Sequence, residues 1–159
     1  MKQDEQLREQ LIKGMQSGRA FTSLDQILAG ISLQNAGRQV PELPYTLWQL
    51  MEHLRIALWD ILEFSRDPDY ASPQWPEGYW PDEKAPTDQK ALDQSRKAIA
   101  DGIAEMGQLV KEEANDLFTP FPHGSGQNLV REVMLVAEHN AYHLGQIVLL
   151  RRLLGDWEG

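Results

Sequence analysis

Leucine, isoleucine and methionine recur every three or four residues through four long stretches of the chain, the spacing that gives a helix one apolar face. The first covers residues 4–17, with Leu7, Leu11, Ile12 and Met15 in register and Gly18 as a stop. A shorter helix is predicted over 22–31, where Thr22 or Ser23 can cap and Leu24, Ile27 and Leu28 form the apolar side. Residues 35–44 contain Gly37 and two prolines and read as a connector. The second long helix, 45–64, carries Leu47, Leu50, Met51, Leu54, Leu58, Ile61 and Leu62 on a broad face. The third, 87–115, opens on Thr87 as N-cap and repeats Leu92, Ile99, Ile103, Met106, Leu109 and Val110. The fourth, 127–154, ends at Gly155, placed as a C′ glycine. Nothing alternates with period two for long, and nothing repeats internally. The expectation is an all-α fold, a four-helix bundle with a short extra helix, in a single domain spanning 1–159.

Between the second and third helices lie prolines at 68, 73, 76, 81 and 86, which forbid a regular helix. Tyr70, Trp75, Tyr79 and Trp80 in the same stretch argue for a loop packed on something. A loop this long in a compact domain usually serves function or is disordered.

Two polar residues interrupt the apolar face of the fourth helix. Val136, His139, His143, Ile147, Leu150 and Leu154 trace one inward stripe, so His139 and His143 stand where a bundle would place leucine. Residues at i and i+4 share a helix face, and two imidazoles buried together need partners for their nitrogens. One ion would satisfy both. A third ligand must come from a neighbouring helix, and His53 stands on the buried side of the second. Against this, a histidine on an apolar face is more often a satisfied core residue. Three inward histidines on two helices favour metal binding, with open positions left for chemistry.

Composition narrows the choices. The chain has no cysteine, so thiolate ligands, disulfides and a cysteine nucleophile are excluded. A net charge of -9 disfavours nucleic acid and anionic membranes as partners. No apolar run approaches the roughly 20 residues that cross a bilayer. With no apolar signal core near the N-terminus, a cytoplasmic location is expected. Among the other polar residues, Gln49 and Gln146 could each orient an imidazole. Glu52 and Glu138 are expected on the solvated surface, and His123 in a turn outside the site. Arg151 and Arg152 could bind an acidic substrate group, but stabilising the dipole at the helix C-terminus is the expected role.

The run Glu138-His139-Asn140-Ala141-Tyr142-His143-Leu144-Gly145-Gln146-Ile147, followed by Leu150-Arg151-Arg152-Leu153-Leu154-Gly155, resembles the C-terminal signature of the DinB/YfiT-like superfamily. Leu47-Trp48-Gln49-Leu50-Met51-Glu52-His53 is similar to the second-helix motif of that family. The resemblance covers nearly the whole chain. It implies a four-helix bundle with one divalent ion held by His53, His139 and His143, commonly in a homodimer. Characterised relatives include bacillithiol S-transferases and mycothiol-dependent isomerases, and many members have no assigned substrate. The resemblance makes transfer of a low-molecular-weight thiol to an electrophile the leading reaction. Three imidazoles suit zinc, nickel, iron or copper, with zinc or nickel expected first and iron as a further option. Metal-assisted hydrolysis, or a non-catalytic metal-binding stress-response role, are the alternatives. Residues 68–81 are expected across or beside the mouth of the metal pocket, with Trp75, Tyr79 or Trp80 in its wall; the alternative is that these rings cover the bundle end or the dimer seam.

Overall fold

The computed structural model describes residues 2–157. It contains six α-helices: α1 (Lys2–Met15), α2 (Leu24–Ala29), α3 (Leu33–Ala36), α4 (Leu47–Arg66), α5 (Gln89–Lys111) and α6 (Leu129–Leu153). A single 3-10 turn, Glu77–Tyr79, breaks the loop between α4 and α5. There is no strand among the described residues, and no described helix is long and apolar enough to cross a membrane.

Side-chain caps set where the helices begin. Ser23, Ser32, Thr46, Asp88 and Asn128 each accept a hydrogen bond from a backbone N–H of the first turn. Thr46 and Gln49 form a reciprocal capping box at the start of α4. Two expectations are corrected here. α5 starts after Asp88 rather than Thr87, because the Asp88 carboxylate takes the Ala91 N–H at 2.8 Å, and it ends at Lys111 instead of reaching 115. The connector at 35–44 begins with the last residues of α3, a short turn of helix that Ser32 caps.

Three arginines close two helix ends. Arg8 donates to the carbonyls of Val110 (2.6 Å) in the last turn of α5 and of Glu112 (3.2 Å) and Asn115 (3.1 Å) just beyond it. Arg96 donates to Leu28 O and Ile31 O, and Arg151 to Ile27 O, all at the end of α2. Arg151, in the last turn of α6, is buried and also serves the carbonyls of α2. α2 folds back over the end of α6, and its orphan carbonyls need a donor.

The four long helices form the bundle, with α5 and α6 each packed against both α1 and α4. Directions follow from which residues meet. Glu52 meets Ser95, Leu58 meets Gly102 and Arg66 meets Glu105, so α4 and α5 run parallel. Arg8 meets Val110 while Ile12 approaches Gly107, so α1 runs against α5. His53 meets His139 whereas Asp60 acts on Glu132, so α6 runs against α4. One continuous core joins them, including Met15, Leu54, Leu62, Leu92, Met106, Val136 and Ile147. Each fully buried side chain of this size contributes about 1.5–3 kcal/mol.

Parallel neighbours impose a long return. After 20 residues of α4 the chain must travel back about 30 Å before α5 can start in the same direction. Residues 67–88 make that journey along α4. Tyr79 meets Asp60 and His53, Pro81 O meets Gln49 and Lys84 O meets Thr46, so loop numbers rise as helix numbers fall.

The α4–α5 seam has little spare room at Gly102, where an added Cβ would lie 2.9 Å from Leu58 Cδ2. Gly102→Leu should therefore lower stability by about 1–3 kcal/mol through overpacking, despite a gain in helix propensity of up to ~1 kcal/mol. Urea unfolding checks this, and a variant as stable as the parent would contradict the close approach.

Candidate metal centre

The antiparallel seam of α4 and α6 brings three imidazoles together. Leu50, Met51 and Leu54 surround His53 on the buried face of α4, and His53 itself is 3% exposed. On α6, Val136, His143 and Ile147 are buried and His139 is half-buried. The inward stripe of the sequence is therefore inward in the fold.

His53 Nε2 lies 3.0 Å from His139 Nε2. The ligand nitrogens of His53, His139 and His143 all fall within 4.8 Å of one another. The rings meet edge to face, with centroids 4.5–4.8 Å apart. Nitrogens bound to one ion at about 2.0–2.1 Å lie roughly 3 Å apart, so the closest pair already has the separation an ion requires.

The outward nitrogens say which atoms are free. His53 Nδ1–H donates to the carbonyl of Tyr79 at 2.8 Å, and His143 Nδ1–H to Gln146 Oε1 at 2.8 Å. Because both acceptors are carbonyl oxygens, the proton of each ring sits on Nδ1 and the Nε2 lone pair is left for a ligand. Carbonyl and amide partners that fix the tautomer in this way are usual behind metal-bound histidine. The donor set fits a divalent ion.

Burial keeps the rings neutral. It pushes the His139 pKa down to about 3, with His143 and His53 adding repulsion. His53 is lowered by burial, against the Tyr79 hydrogen bond, and His143 is lowered by burial against Gln146. Neutral imidazole is the form that binds metal.

The returning loop covers one side of the triad. Trp80 stacks on the His53 ring at 3.9 Å and 3°, and on Tyr45 at 4.0 Å and 12°. Tyr79 contributes its backbone carbonyl, while its phenol donates to Asp60 Oδ2 at 2.7 Å. The Tyr79 pKa is raised, chiefly by burial and then by Asp60. Trp75 is 70% exposed and reaches only Tyr79, with centroids 5.3 Å apart, so it does not wall the triad.

Several residues lie elsewhere than the sequence suggests. Glu52 is buried, not solvated, because α5 presents Ser95 Oγ to its carboxylate while Arg55 grips it from one turn on. Gln49 is occupied by the capping box and Pro81 O and does not reach an imidazole. Glu138 is exposed, as expected. His123 stays outside the triad, donating from Nε2 to Phe64 O and stacking on Phe121. Sizeable hollows, such as one of about 500 Å³ beside Arg151 and Trp157 and one of about 420 Å³ beside His123, lie away from the triad. Sequence reasoning missed Asp60, Tyr45 and the Tyr79 carbonyl. Only Asp60 left a trace, seven residues after His53 on the same helix face.

The model of the DinB family matches residues 5–159. No curated protein and no solved structure matches the chain.

The depressed pKa values make a pH prediction for the metal-free protein. An unfolded histidine takes a proton near pH 6.5, whereas folded His139 refuses it until about 3. The unfolded state thus binds more protons across that window. Stability should be full above about pH 6.5 and fall towards 3, and His139→Leu should flatten part of the fall. Denaturant titrations between pH 7 and 4 measure it, and identical pH slopes for the two proteins would contradict a buried, neutral His139.

Proposed function

The chain belongs to the DinB family, and from that membership and its convergent imidazoles we propose a metal-dependent enzyme that transfers a low-molecular-weight thiol to an electrophile. The observation that carries the metal reading is the pair of outward Nδ1–H bonds, which leave the Nε2 atoms of His53 and His143 free as lone pairs beside His139. Three protein ligands leave open positions, in contrast to the four of a closed structural site. Imidazole donors suit zinc, nickel or iron. A divalent ion held there supplies a lowered pKa for a bound thiol or water, generating a nucleophile near neutral pH.

The chain's own residues do the rest. Tyr79 O and Gln146 hold two imidazoles in the ligating tautomer. Trp80, stacked on both His53 and Tyr45, covers the His53 face. In the transfer, the S–H proton passes to solvent, the new S–C bond forms and the bond from that carbon to its leaving group breaks. No described side chain stands as a general base beside the triad: Glu52 is engaged by Ser95 and Arg55, and Glu138 faces solvent.

A second copy of the chain is proposed as partner. Leu135, Tyr142 and Leu149 recur every seven residues on the outer face of α6, with Met134 and Leu153 beside them, all exposed. Such a period suits pairing of like helices. Light scattering should give twice the 18.1 kDa chain mass at micromolar concentration; the monomer mass would refute the dimer.

The protein should bind one equivalent of zinc or nickel, and the double variant His139→Ala/His143→Ala should bind none. Chelation should leave the bundle helical by circular dichroism, because the core closes without the triad. With metal restored, a panel of thiols and alkylating electrophiles should show thiol consumption that the double variant lacks. Stoichiometric metal in that variant would overturn the site; metal-loaded protein that hydrolyses electrophiles without a thiol would replace transferase with hydrolase.

A further inference from the structure

Asp60 lies two turns beyond His53 on the same face of α4, about 10 Å along the axis. One loop residue, Tyr79, touches both. Its phenol donates to Asp60 Oδ2 at 2.7 Å and its carbonyl accepts from His53 Nδ1–H at 2.8 Å. Trp80 follows directly, with its ring flat on the imidazole.

We propose that Asp60 is a positioning residue of the metal centre: by accepting the Tyr79 phenol it fixes the Tyr79 carbonyl on His53 Nδ1 and Trp80 on the His53 ring, and so presents His53 Nε2 to the ion. This rests on the metal-binding reading above. Both anchor points belong to one helix, so their spacing is rigid and Tyr79 has one register along it. Hydrogen bonding to a carboxylate is the strong, charge-assisted kind. The later part of the loop does not depend on it, since Thr46 Oγ1 donates to Lys84 O and Gln49 Nε2 to Pro81 O independently, while Tyr70 in the early part also lies against the Asp60 carboxylate. Losing the Asp60 bond therefore leaves the loop docked and the bundle folded, but frees the Tyr79 carbonyl to slip. The proton of His53 can then move from Nδ1 to Nε2, which removes the ligating lone pair.

Three substitutions separate positioning from a general structural role. Tyr79→Phe removes the phenol and keeps the backbone carbonyl; Asp60→Ala removes the acceptor; Asp60→Asn keeps an acceptor oxygen. Cobalt(II) titration, followed by its visible absorption, should show affinity about tenfold or more weaker for Tyr79→Phe and Asp60→Ala, with Asp60→Asn retaining the wild-type value. In the metal-free proteins, nitrogen-resolved magnetic resonance of the histidine side chains should show His53 as the Nδ1–H form in wild type and Asp60→Asn, and as a tautomer mixture in the other two. Wild-type cobalt affinity in both Tyr79→Phe and Asp60→Ala, or equal loss in Asp60→Asn and Asp60→Ala, would overturn the proposal. So would a His53 tautomer unchanged across all variants, whatever the affinity. Should the wild-type protein take up no cobalt at all, the metal reading falls, and the tautomer result alone decides the role of Asp60.

Discussion

Parallel packing of α4 against α5 is the constraint on which the candidate site depends. Adjacent helices joined by a short turn must run in opposite directions; two that run the same way need a connection as long as the helix itself. Residues 67–88 are that connection, and their path along α4 takes Tyr79 and Trp80 past His53. The feature that looks in sequence like an irregular, proline-rich insert is a topological necessity that doubles as one wall of the triad. Its prolines suit an extended path and remove backbone donors that a strap lying on a helix could not satisfy.

Placing three imidazoles in a seam that leucine could fill costs desolvation. The fold offsets part of that cost locally. Two outward nitrogens find carbonyl oxygens, and Trp80 stacks on one ring. The inward nitrogens are left facing each other, and neutrality is maintained by burial. A structure optimised only for stability would not retain this arrangement, so it reads as a site held ready for a cation. Two other buried charged groups are satisfied within the protein: Glu52 by Ser95 and Arg55, Arg8 by three carbonyls.

Much of this was legible in the chain. Helical periodicity located all four long helices to within a few residues, and the inward stripe on α6 with His53 on α4 named the three residues that converge. The resemblance of the segments around those histidines to DinB/YfiT-like proteins agrees with the family match. What escaped was set by contacts between distant parts of the chain. Glu52 sits next to His53 and rotates away from it, yet whether that face meets water or α5 depends on packing, and Ser95 decides it. Arg151 falls in the last turn of α6, where a dipole role is natural, but α2 lies over it and supplies carbonyls. The Tyr79 carbonyl has no side-chain signature at all, so the aromatic pattern pointed to the loop without saying that a backbone atom would hold the histidine. Trp75, the most conspicuous ring of the loop, remains in solvent because the strap turns its neighbours, and not Trp75, towards α4.

The central claim is that His53, His139 and His143 together bind one divalent ion through ring nitrogen. X-ray absorption at the metal edge of zinc- or nickel-loaded protein tests it most directly. The account predicts three imidazole ligands at about 2.0–2.2 Å, with the imidazole count falling by one in each single histidine-to-alanine variant that still retains metal. A wild-type spectrum with oxygen ligands only, or one unchanged by replacing any of the three, would contradict it.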